Sequence, residues 1–234
     1  MTADRRSLEE EYLVLTELER RQVDDPLRLF QPHPKQREFI DATLSDGYTE
    51  GCWFVAANRS GKSDAGAFIG ATLARFGNPS ARYVGGGDGR VSVRDRSTSG
   101  WVSALDFSMS RDVIQPKYFA NGFGGPGAHP PFIPEREIAE WRVSDQILKL
   151  KNGSIVGFKS ADSGRVKYQG ADKDWIHFDE EHPKGIFEEA VIRVGPRRLR
   201  VFGTMTLLPP EGMAGGVSWM YPEIIHPWKE GQRP

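Results

Sequence analysis

The sequence contains a single cysteine, Cys52, among its 234 residues. One thiol cannot close an intrachain disulfide or supply a thiolate cluster, so disulfide-stabilised folds and cysteine-based metal sites are excluded within one chain. The five histidines show no metal-ligand spacing. A reducing compartment fits this composition.

Long apolar runs are also missing. No window approaches the roughly 18 apolar residues that a membrane helix needs. The N-terminal stretch MTADRRSLEEEY carries charges where a signal peptide requires apolar residues. We therefore expect a protein that is neither secreted nor membrane-spanning.

Charge of one sign is not in excess either, because 31 Lys+Arg face 32 Asp+Glu and the formal net charge is −1. The global basic field of many nucleic-acid-binding proteins is absent, so a polyanion would have to be bound by a local patch. Two arginine clusters are candidates, although each could equally be a solvated face: Arg90, Arg94, Arg96 and Arg111, and Arg193, Arg197, Arg198 and Arg200.

The order of the predicted elements indicates an α/β fold with a mostly parallel central sheet flanked by helices. Apolar strands alternate with helical patterns, and the strands are predicted at 51–57, 81–85, 174–179 and 199–203. Asn152-Gly153 lies between two alternating polar and apolar stretches, which predicts a β-hairpin over 146–160. Residues 97–119 are predicted to be helical in part, and the Gly- and Pro-rich segment 122–134 to be a loop.

Three regions are predicted along the chain. Residues 1–30 are predicted to form a helical arm, residues 31–210 the α/β domain, and residues 211–234 a linker-like tail.

The strongest motif follows the strand at 51–57 and reads Ala56-Ala57-Asn58-Arg59-Ser60-Gly61-Lys62-Ser63. It matches the phosphate-loop pattern G-x4-G-K-[ST] except that Ala replaces the first Gly. In such a loop the backbone N–H groups from Ala57 to Ser63 face phosphate oxygens, the lysine neutralises the β and γ phosphates, and the last hydroxyl ligates Mg²⁺. A glycine turn with an incidental lysine is the alternative interpretation.

An acidic pair, Asp179-Glu180, closes the strand at 174–179. A carboxylate at the C-terminal end of a strand lies at the same sheet edge as the phosphate loop. Asp179 would hold the Mg²⁺ shell, and Glu180 would orient and deprotonate the attacking water. Without the phosphate loop, the same pair would be typical of a solvated turn.

Two further polar elements lie near these motifs. Gln36, upstream of the loop, carries an amide that can both donate to and accept from adenine, or it is a surface glutamine. Thr204 and Thr206 end the strand at 199–203, where a hydroxyl could sense a γ-phosphate.

Together these residues resemble the ATPase domain of the large terminase subunit, the DNA-packaging motor of tailed bacteriophages. The signs are the Asn-Arg-Ser-Gly-Lys-Ser loop, Gln36, the approach Gly170-x3-Asp174-x4-Asp179-Glu180 and the strand ending in Gly203-Thr204-Met205-Thr206. The resemblance covers residues 30–210.

The resemblance implies a P-loop NTPase fold of the additional-strand type that uses ATP and Mg²⁺ to translocate double-stranded DNA. It also implies a ring of five subunits on the portal of a procapsid, a small terminase subunit as partner, and a location in the host cytoplasm rather than the mature virion. Arg59 would contact the γ-phosphate within its own subunit, and Thr204 would belong to the coupling motif.

The sequence departs from the family in two places. No room remains after residue 210 for the C-terminal nuclease domain that large terminases carry, so this would be either an excised domain or a shortened subunit, and we expect no DNA cleavage by it. Gln169 stands where some relatives insert an arginine into the neighbouring subunit's site, so Arg165, Lys167 or another basic residue would have to serve. A solvated loop arginine is the alternative for Arg165.

Two other functions remain open at this stage. A superfamily-2-type helicase or translocase shares the glutamine, the phosphate loop and the acidic pair, but it needs a second motor domain. A nucleotide-binding scaffold that never hydrolyses ATP is disfavoured by the intact Lys62, Asp179 and Glu180.

Overall fold

The computed structural model describes residues 12–17, 20, 25–45, 51–77, 97–123, 129–170, 172–194, 200–206 and 218–225. Within them, seven strands are formed: β1 Cys52–Val55, β2 Ser99–Ala104, β3 Ile138–Arg142, β4 Ile147–Leu150, β5 Ile155–Ser160, β6 Trp175–Asp179 and β7 Arg200–Met205. The longer helices are α1 Pro34–Leu44, α2 Lys62–Phe76 and α3 Lys184–Ile192.

Short helical elements complete the described part of the chain. They are Pro26–Leu29, Phe107–Met109, the π-helical Ser110–Ile114, Gln115–Tyr118, the 3₁₀ turns Glu135–Glu137, Ala161–Ser163 and Arg165–Tyr168, and the π-helical Tyr221–Ile225. Residues 12–17 of the expected N-terminal arm are helical. No helix within the described ranges is long and apolar enough to cross a bilayer.

All seven strands form one sheet in the order β1-β7-β6-β2-β5-β4-β3. The first five strands in this order, β1, β7, β6, β2 and β5, are parallel to their neighbours. Strand β4 pairs antiparallel with both β5 and β3. Strand β7 lies between β1, which precedes the phosphate loop, and β6, which ends in the acidic pair. The predicted α/β class, the mostly parallel sheet and the additional strand between the two motif strands are therefore confirmed.

The hairpin predicted around Asn152-Gly153 is also confirmed. Gly153 has φ +88° and its N–H donates to the Leu150 carbonyl at 3.0 Å, which closes a tight turn between β4 and β5.

The prediction for residues 97–119 was incomplete. The segment begins with β2, which lies in the middle of the sheet between β6 and β5, and only residues 107–118 are helical. The run Ser-Gly-Trp-Val-Ser-Ala contains one β-branched residue, so its strand propensity is weak. At Gly100 no side chain fits, because a Cβ there would lie 2.0 Å from Trp175 Cε2. Strand β3 was missed as well, and the strand expected at 81–85 lies outside the described residues.

Helix α2 packs closely against one face of the sheet. Gly66 and Gly70, one turn apart, leave space for two buried side chains, since added Cβ atoms would lie 2.2 Å from His177 Nε2 and 2.2 Å from Tyr118 Oη, respectively. The opposite face carries Trp101, Ile176 and Phe178, which pack with Ile186 and Ala190 of α3. Because the strands next to α2 are parallel, its N-terminus lies at their carboxyl edge, where the acidic pair also lies.

Candidate functional site

The phosphate-loop segment forms the connection between β1 and α2. Arg59 and Gly61 adopt left-handed backbone conformations, with φ +61° and +70°, and α2 begins at Lys62. The Lys62 ammonium is buried and donates to the Ala57 carbonyl at 2.9 Å, across the loop. The loop thus has the tight turn at a helix N-terminus that phosphate binding requires.

The polar groups of this loop fit a nucleotide phosphate and a divalent cation. The Ser60 hydroxyl is buried and, within the described part of the chain, has no hydrogen-bond partner. The Ser63 hydroxyl bonds to the Asp179 carboxyl, so the two predicted magnesium ligands are adjacent. A hydroxyl beside a carboxylate supplies the oxygen ligands that Mg²⁺ prefers, and the N-terminus of α2 favours the negative charge of a phosphate.

Gln36 lies beside the loop rather than on an open surface. Its Nε2 donates to the Gly61 carbonyl at 2.8 Å, and its Oε1 accepts from the His33 N–H at 2.9 Å, which caps α1. His33 Nε2 lies 3.1 Å from the Ser60 carbonyl oxygen. The oxygen and the nitrogen of the Gln36 amide are therefore both hydrogen-bonded within the protein, and its contact with adenine stays a prediction.

Asp179 ends β6 in a fully buried environment. Burial raises the pKa of its carboxyl to about 6, although hydrogen bonds from Thr204 and Ser63 act in the opposite direction. The Thr204 hydroxyl donates to Asp179 Oδ1 at 2.8 Å. Thr204 therefore contacts the acidic residue in this structure, and its role toward a γ-phosphate stays a prediction.

Glu180 adopts a left-handed conformation with φ +68°. Its N–H donates to the Thr204 carbonyl at 2.7 Å, and its carboxylate accepts from the Thr206 N–H at 2.7 Å. The Thr206 hydroxyl lies 2.9 Å from Asn58 Oδ1 and 3.3 Å from Glu180 Oε1. The end of β7 thus joins the acidic pair to the phosphate loop.

A buried hydrogen-bonded chain behind Asp179 was not foreseen. His177 Nε2 lies 3.1 Å from Thr204 Oγ1, and its Nδ1 lies 2.9 Å from Tyr118 Oη. Because Thr204 donates its proton to Asp179, its oxygen accepts from His177 Nε2–H, and Nδ1 accepts from the tyrosine. Burial lowers the pKa of His177 to about 3 and raises that of Tyr118 well above its usual range, so both groups are neutral.

The glycine pair Gly66 and Gly70 on α2 is the sequence signal that could have predicted this buried hydrogen-bonded series. Two glycines one turn apart in a buried helix predict that something is seated against it.

A second group beside α2 was also missed. Asp64, in the first turn of α2, bonds to the Lys117 ammonium and lies 3.2 Å from His129 Nε2. Burial alone would raise the pKa of Asp64, but these two partners outweigh it and lower the pKa. Lys117 also acts electrostatically on Asp179, so this cation contributes to the field of the site.

The basic residues proposed to contact phosphates have different surroundings. Arg165 donates to Glu189 of its own chain at 2.9 Å while 60% of its side chain stays exposed, and Arg193 bonds to the same carboxylate. Arg59 is exposed on the loop. Arg200 is a correction, because it is buried and donates to the Thr43 and Ser45 carbonyls, which excludes it from a DNA-binding surface.

Arg111 is ion-paired with Asp112 at 2.5 Å and lies over the rings of Phe107 and Phe123. The other arginines of the two clusters, Arg90, Arg94, Arg96, Arg197 and Arg198, lie outside the described residues. His182, in the turn after β6, is buried.

Comparison with known proteins places this arrangement in context. The chain is 28% identical to the large terminase subunit of Salmonella phage P22, in an alignment that covers 81% of the chain and 41% of the phage protein. The resemblance to bacteriophage large terminases is thereby confirmed. No protein-family model matches the sequence.

Solved structures of large terminases share the fold of this chain. The large terminase of a thermophilic bacteriophage superposes with a TM-score of 0.56 at 15% identity, covering 86% of this chain and 44% of that protein. The complex of the same phage protein with ADP gives a TM-score of 0.54 at 16% identity, covering 85% and 43%. This chain therefore has the fold of these large terminases, and it spans less than half of their length.

Proposed function

We propose that this chain is an ATP-hydrolysing motor domain that drives double-stranded viral DNA into a procapsid. The observation that carries the proposal is the junction of the phosphate loop and the acidic pair, in which Thr206 contacts both Asn58 and Glu180. The similarity to the large terminase of the Salmonella phage and the ADP complex of the thermophilic phage protein support nucleotide binding and a role in packaging.

Each residue at the junction has a role that follows from its position. Lys62, now bonded to Ala57, would turn to the β and γ phosphates, and Ser63 and Asp179 would hold Mg²⁺. The bound cation would neutralise phosphate charge. Glu180 lies at the same sheet edge with its carboxylate held by Thr206, where it would orient a water and accept its proton.

The partners and assembly also belong to this proposal. They are double-stranded DNA, the portal of a procapsid, a small terminase subunit and four further copies of the chain in a ring within the host cytoplasm. Arg59 would act within its own subunit, and Arg165 or Lys167 would act on the neighbour's nucleotide. Arg165 would have to leave Glu189 to do so, and Arg193 would then neutralise that carboxylate alone.

A superfamily-2-type helicase and a non-hydrolysing scaffold are the competing functions. Steady-state ATP hydrolysis, measured with and without double-stranded DNA and procapsids, together with a strand-separation assay, distinguishes all three. We expect DNA-stimulated hydrolysis without strand separation. ATP binding without turnover would favour the scaffold, and separation of strands would favour the helicase.

Two lysine variants complete this experiment. Lys62→Ala should abolish ATP binding and turnover because it removes the point charge of the loop. Lys35→Ala removes an exposed lysine paired with Glu38 at 2.8 Å, and it should leave both unchanged. Wild-type affinity for ATP in Lys62→Ala would contradict the nucleotide site.

A further inference from the structure

A second histidine-centred chain lies on the opposite face of the sheet from His177. His182 Nδ1 lies 3.0 Å from the Glu180 carbonyl oxygen, and its Nε2 lies 2.7 Å from Ser103 Oγ. Ser103 Oγ in turn lies 2.5 Å from Tyr168 Oη. All three side chains are buried.

The hydrogen bonds of this chain can run in one direction. The ring bonds to the carbonyls of Glu180 and Ala104, and carbonyl oxygens only accept. With the proton on Nδ1, His182 donates to the Glu180 carbonyl, and Nε2 of the neutral ring is the acceptor that faces Ser103. Ser103 then donates to Nε2 and accepts from the Tyr168 hydroxyl. Burial lowers the pKa of His182 to about 4, against carbonyl contacts that raise it, so the ring is neutral near pH 7.

The series of hydrogen bonds ends at the carbonyl of Glu180, a residue with an unfavourable backbone conformation. Glu180 is a non-glycine residue with φ +68°, a conformation that side-chain-bearing residues seldom adopt. Its N–H is bound by the Thr204 carbonyl and its carbonyl by His182, so both flanking peptide groups are fixed. This backbone conformation lets the Glu180 carboxylate reach the Thr206 N–H.

We infer that His182 is a positioning residue for Glu180, and that Ser103 and Tyr168 extend this support to the 3₁₀ segment Arg165–Tyr168. The inference rests on the proposed function, in which Glu180 activates water. The segment that carries Arg165 is thereby connected to the backbone of Glu180 through three hydrogen bonds.

The same side chains also pack. Phe178 contacts the His182 ring edge-on, and Tyr168 contacts Trp101 in the same way. Packing alone requires only shape, whereas positioning of Glu180 requires a donor at the place of Nδ1. The two roles therefore predict different outcomes for substitutions that keep one ring nitrogen's function and remove the other's.

The test uses two variants in the full chain. An asparagine amide nitrogen falls near the position of Nδ1, so His182→Asn can still donate to Glu180, whereas His182→Gln reaches the position of Nε2 and bonds to Ser103 instead. We expect His182→Asn to keep kcat within about threefold and His182→Gln to lower it by about 10-fold or more, with the Kd for ATP unchanged in both. Equal kcat values in the two variants would overturn the inference.

Two measurements keep the inference testable if these variants fold poorly. Tyr168→Phe keeps the ring against Trp101 and should lower kcat several-fold. An unchanged kcat would contradict a role for the hydrogen bond between Tyr168 and Ser103. ¹⁵N spectra of the unmodified protein should give a pyrrole-type signal for Nδ1 of His182 and a pyridine-type signal for Nε2. The reverse assignment would also overturn the inference.

Controls separate this inference from the proposed function. Ser154 is another buried serine, which accepts from the Thr98 N–H at 2.9 Å in the hairpin, and Ser154→Ala should lower stability without changing kcat. If Glu180→Gln is inactive while His182→Gln turns over normally, only the positioning role is wrong. If Glu180→Gln keeps wild-type turnover, the base is another carboxylate and the positioning role fails with it. If the unmodified chain hydrolyses no ATP, the proposed function fails.

Discussion

The Thr204 hydroxyl donates to the Asp179 carboxyl at 2.8 Å, and both residues are buried. Thr204→Val removes this bond and leaves His177 without its acceptor. Partners of this kind, which orient a metal-binding carboxylate, affect metal affinity by about 10- to 100-fold when removed. We expect hydrolysis by Thr204→Val to need about 10-fold more Mg²⁺, measured by titrating Mg²⁺ at saturating ATP.

Thr204→Ser is the matched control because it keeps the hydroxyl. It should retain the wild-type Mg²⁺ requirement. A Thr204→Val variant with normal Mg²⁺ dependence and weakened discrimination between ATP and ADP would instead favour the role of Thr204 as a γ-phosphate sensor.

Glu180→Gln should keep Mg·ATP bound while turnover falls by about 100-fold or more, the contribution of a positioned base. The glutamine amide can still accept from the Thr206 N–H, so the loop should keep its structure. Calorimetry for ATP binding and a phosphate-release assay check the two halves of this expectation. Normal turnover would move the role to another carboxylate, of which Glu181 is the nearest in sequence.

Gly66→Ala places a methyl group 2.2 Å from His177 Nε2 and should destabilise the protein by about 1–3 kcal/mol, since a buried ring has to shift. Gly185→Ala is the control, because an added Cβ in the first turn of α3 has no neighbour within 4 Å. That change should be neutral or stabilising by up to about 1 kcal/mol. Urea unfolding of both variants measures the contrast, and equal effects would show that α2 can move away.

The stability of the metal-free protein should increase with pH between 5 and 6. His177 and His182 have pKa values lowered to about 3 and about 4, so in this range the unfolded chain binds about two more protons at these residues. Asp179, with its pKa raised to about 6, binds about one more in the folded state. The net difference of one proton gives roughly 1.4 kcal/mol per pH unit.

Asp179→Asn provides the check on this pH dependence. It removes the opposing proton, so the slope should roughly double when urea unfolding is followed at pH 5 and pH 6. An unchanged slope would mean that Asp179 binds no extra proton in the folded protein. A slope near zero in Asp179→Asn would mean that the two imidazoles are protonated there.

Mixing tests whether Arg165 acts on a neighbour. Arg165→Ala subunits should be inactive alone but should regain turnover with Glu180→Gln subunits, because mixed neighbours pair an intact site with an intact arginine. A matched mixture with Lys167→Ala identifies the lysine if it serves instead. No recovery, with both variants folded and binding ATP, would leave Arg165 as the partner of Glu189 in its own chain.

The sequence predicted the elements whose signals are local. Lys62, Asp179-Glu180 and Asn152-Gly153 each stand in a pattern that a few neighbouring residues define, and the fold places them as those patterns indicate. Strand β2 was missed because its sequence reflects the neighbouring strand more than strand propensity. Gly100, for example, is required by the Trp175 side chain on β6.

The support behind the site could not be read from spacing. His177 and His182 look like ordinary residues of an apolar strand and the turn after it, and their partners Tyr118 and Ser103 are 59 and 79 residues away. Only the folded sheet brings these pairs together. The direction of each hydrogen bond then follows from which atom can donate.

Strand β7 bonds to both of its neighbours at the edge where the phosphate loop and the acidic pair meet. The Met205 carbonyl accepts from Ala56, and the Thr204 carbonyl accepts from Glu180. Because β7 bonds to both sides, the phosphate loop and the acidic pair form one cooperative unit. Neither can unfold locally without breaking hydrogen bonds to β7. An evolutionary change on either side must therefore stay compatible with the same short strand.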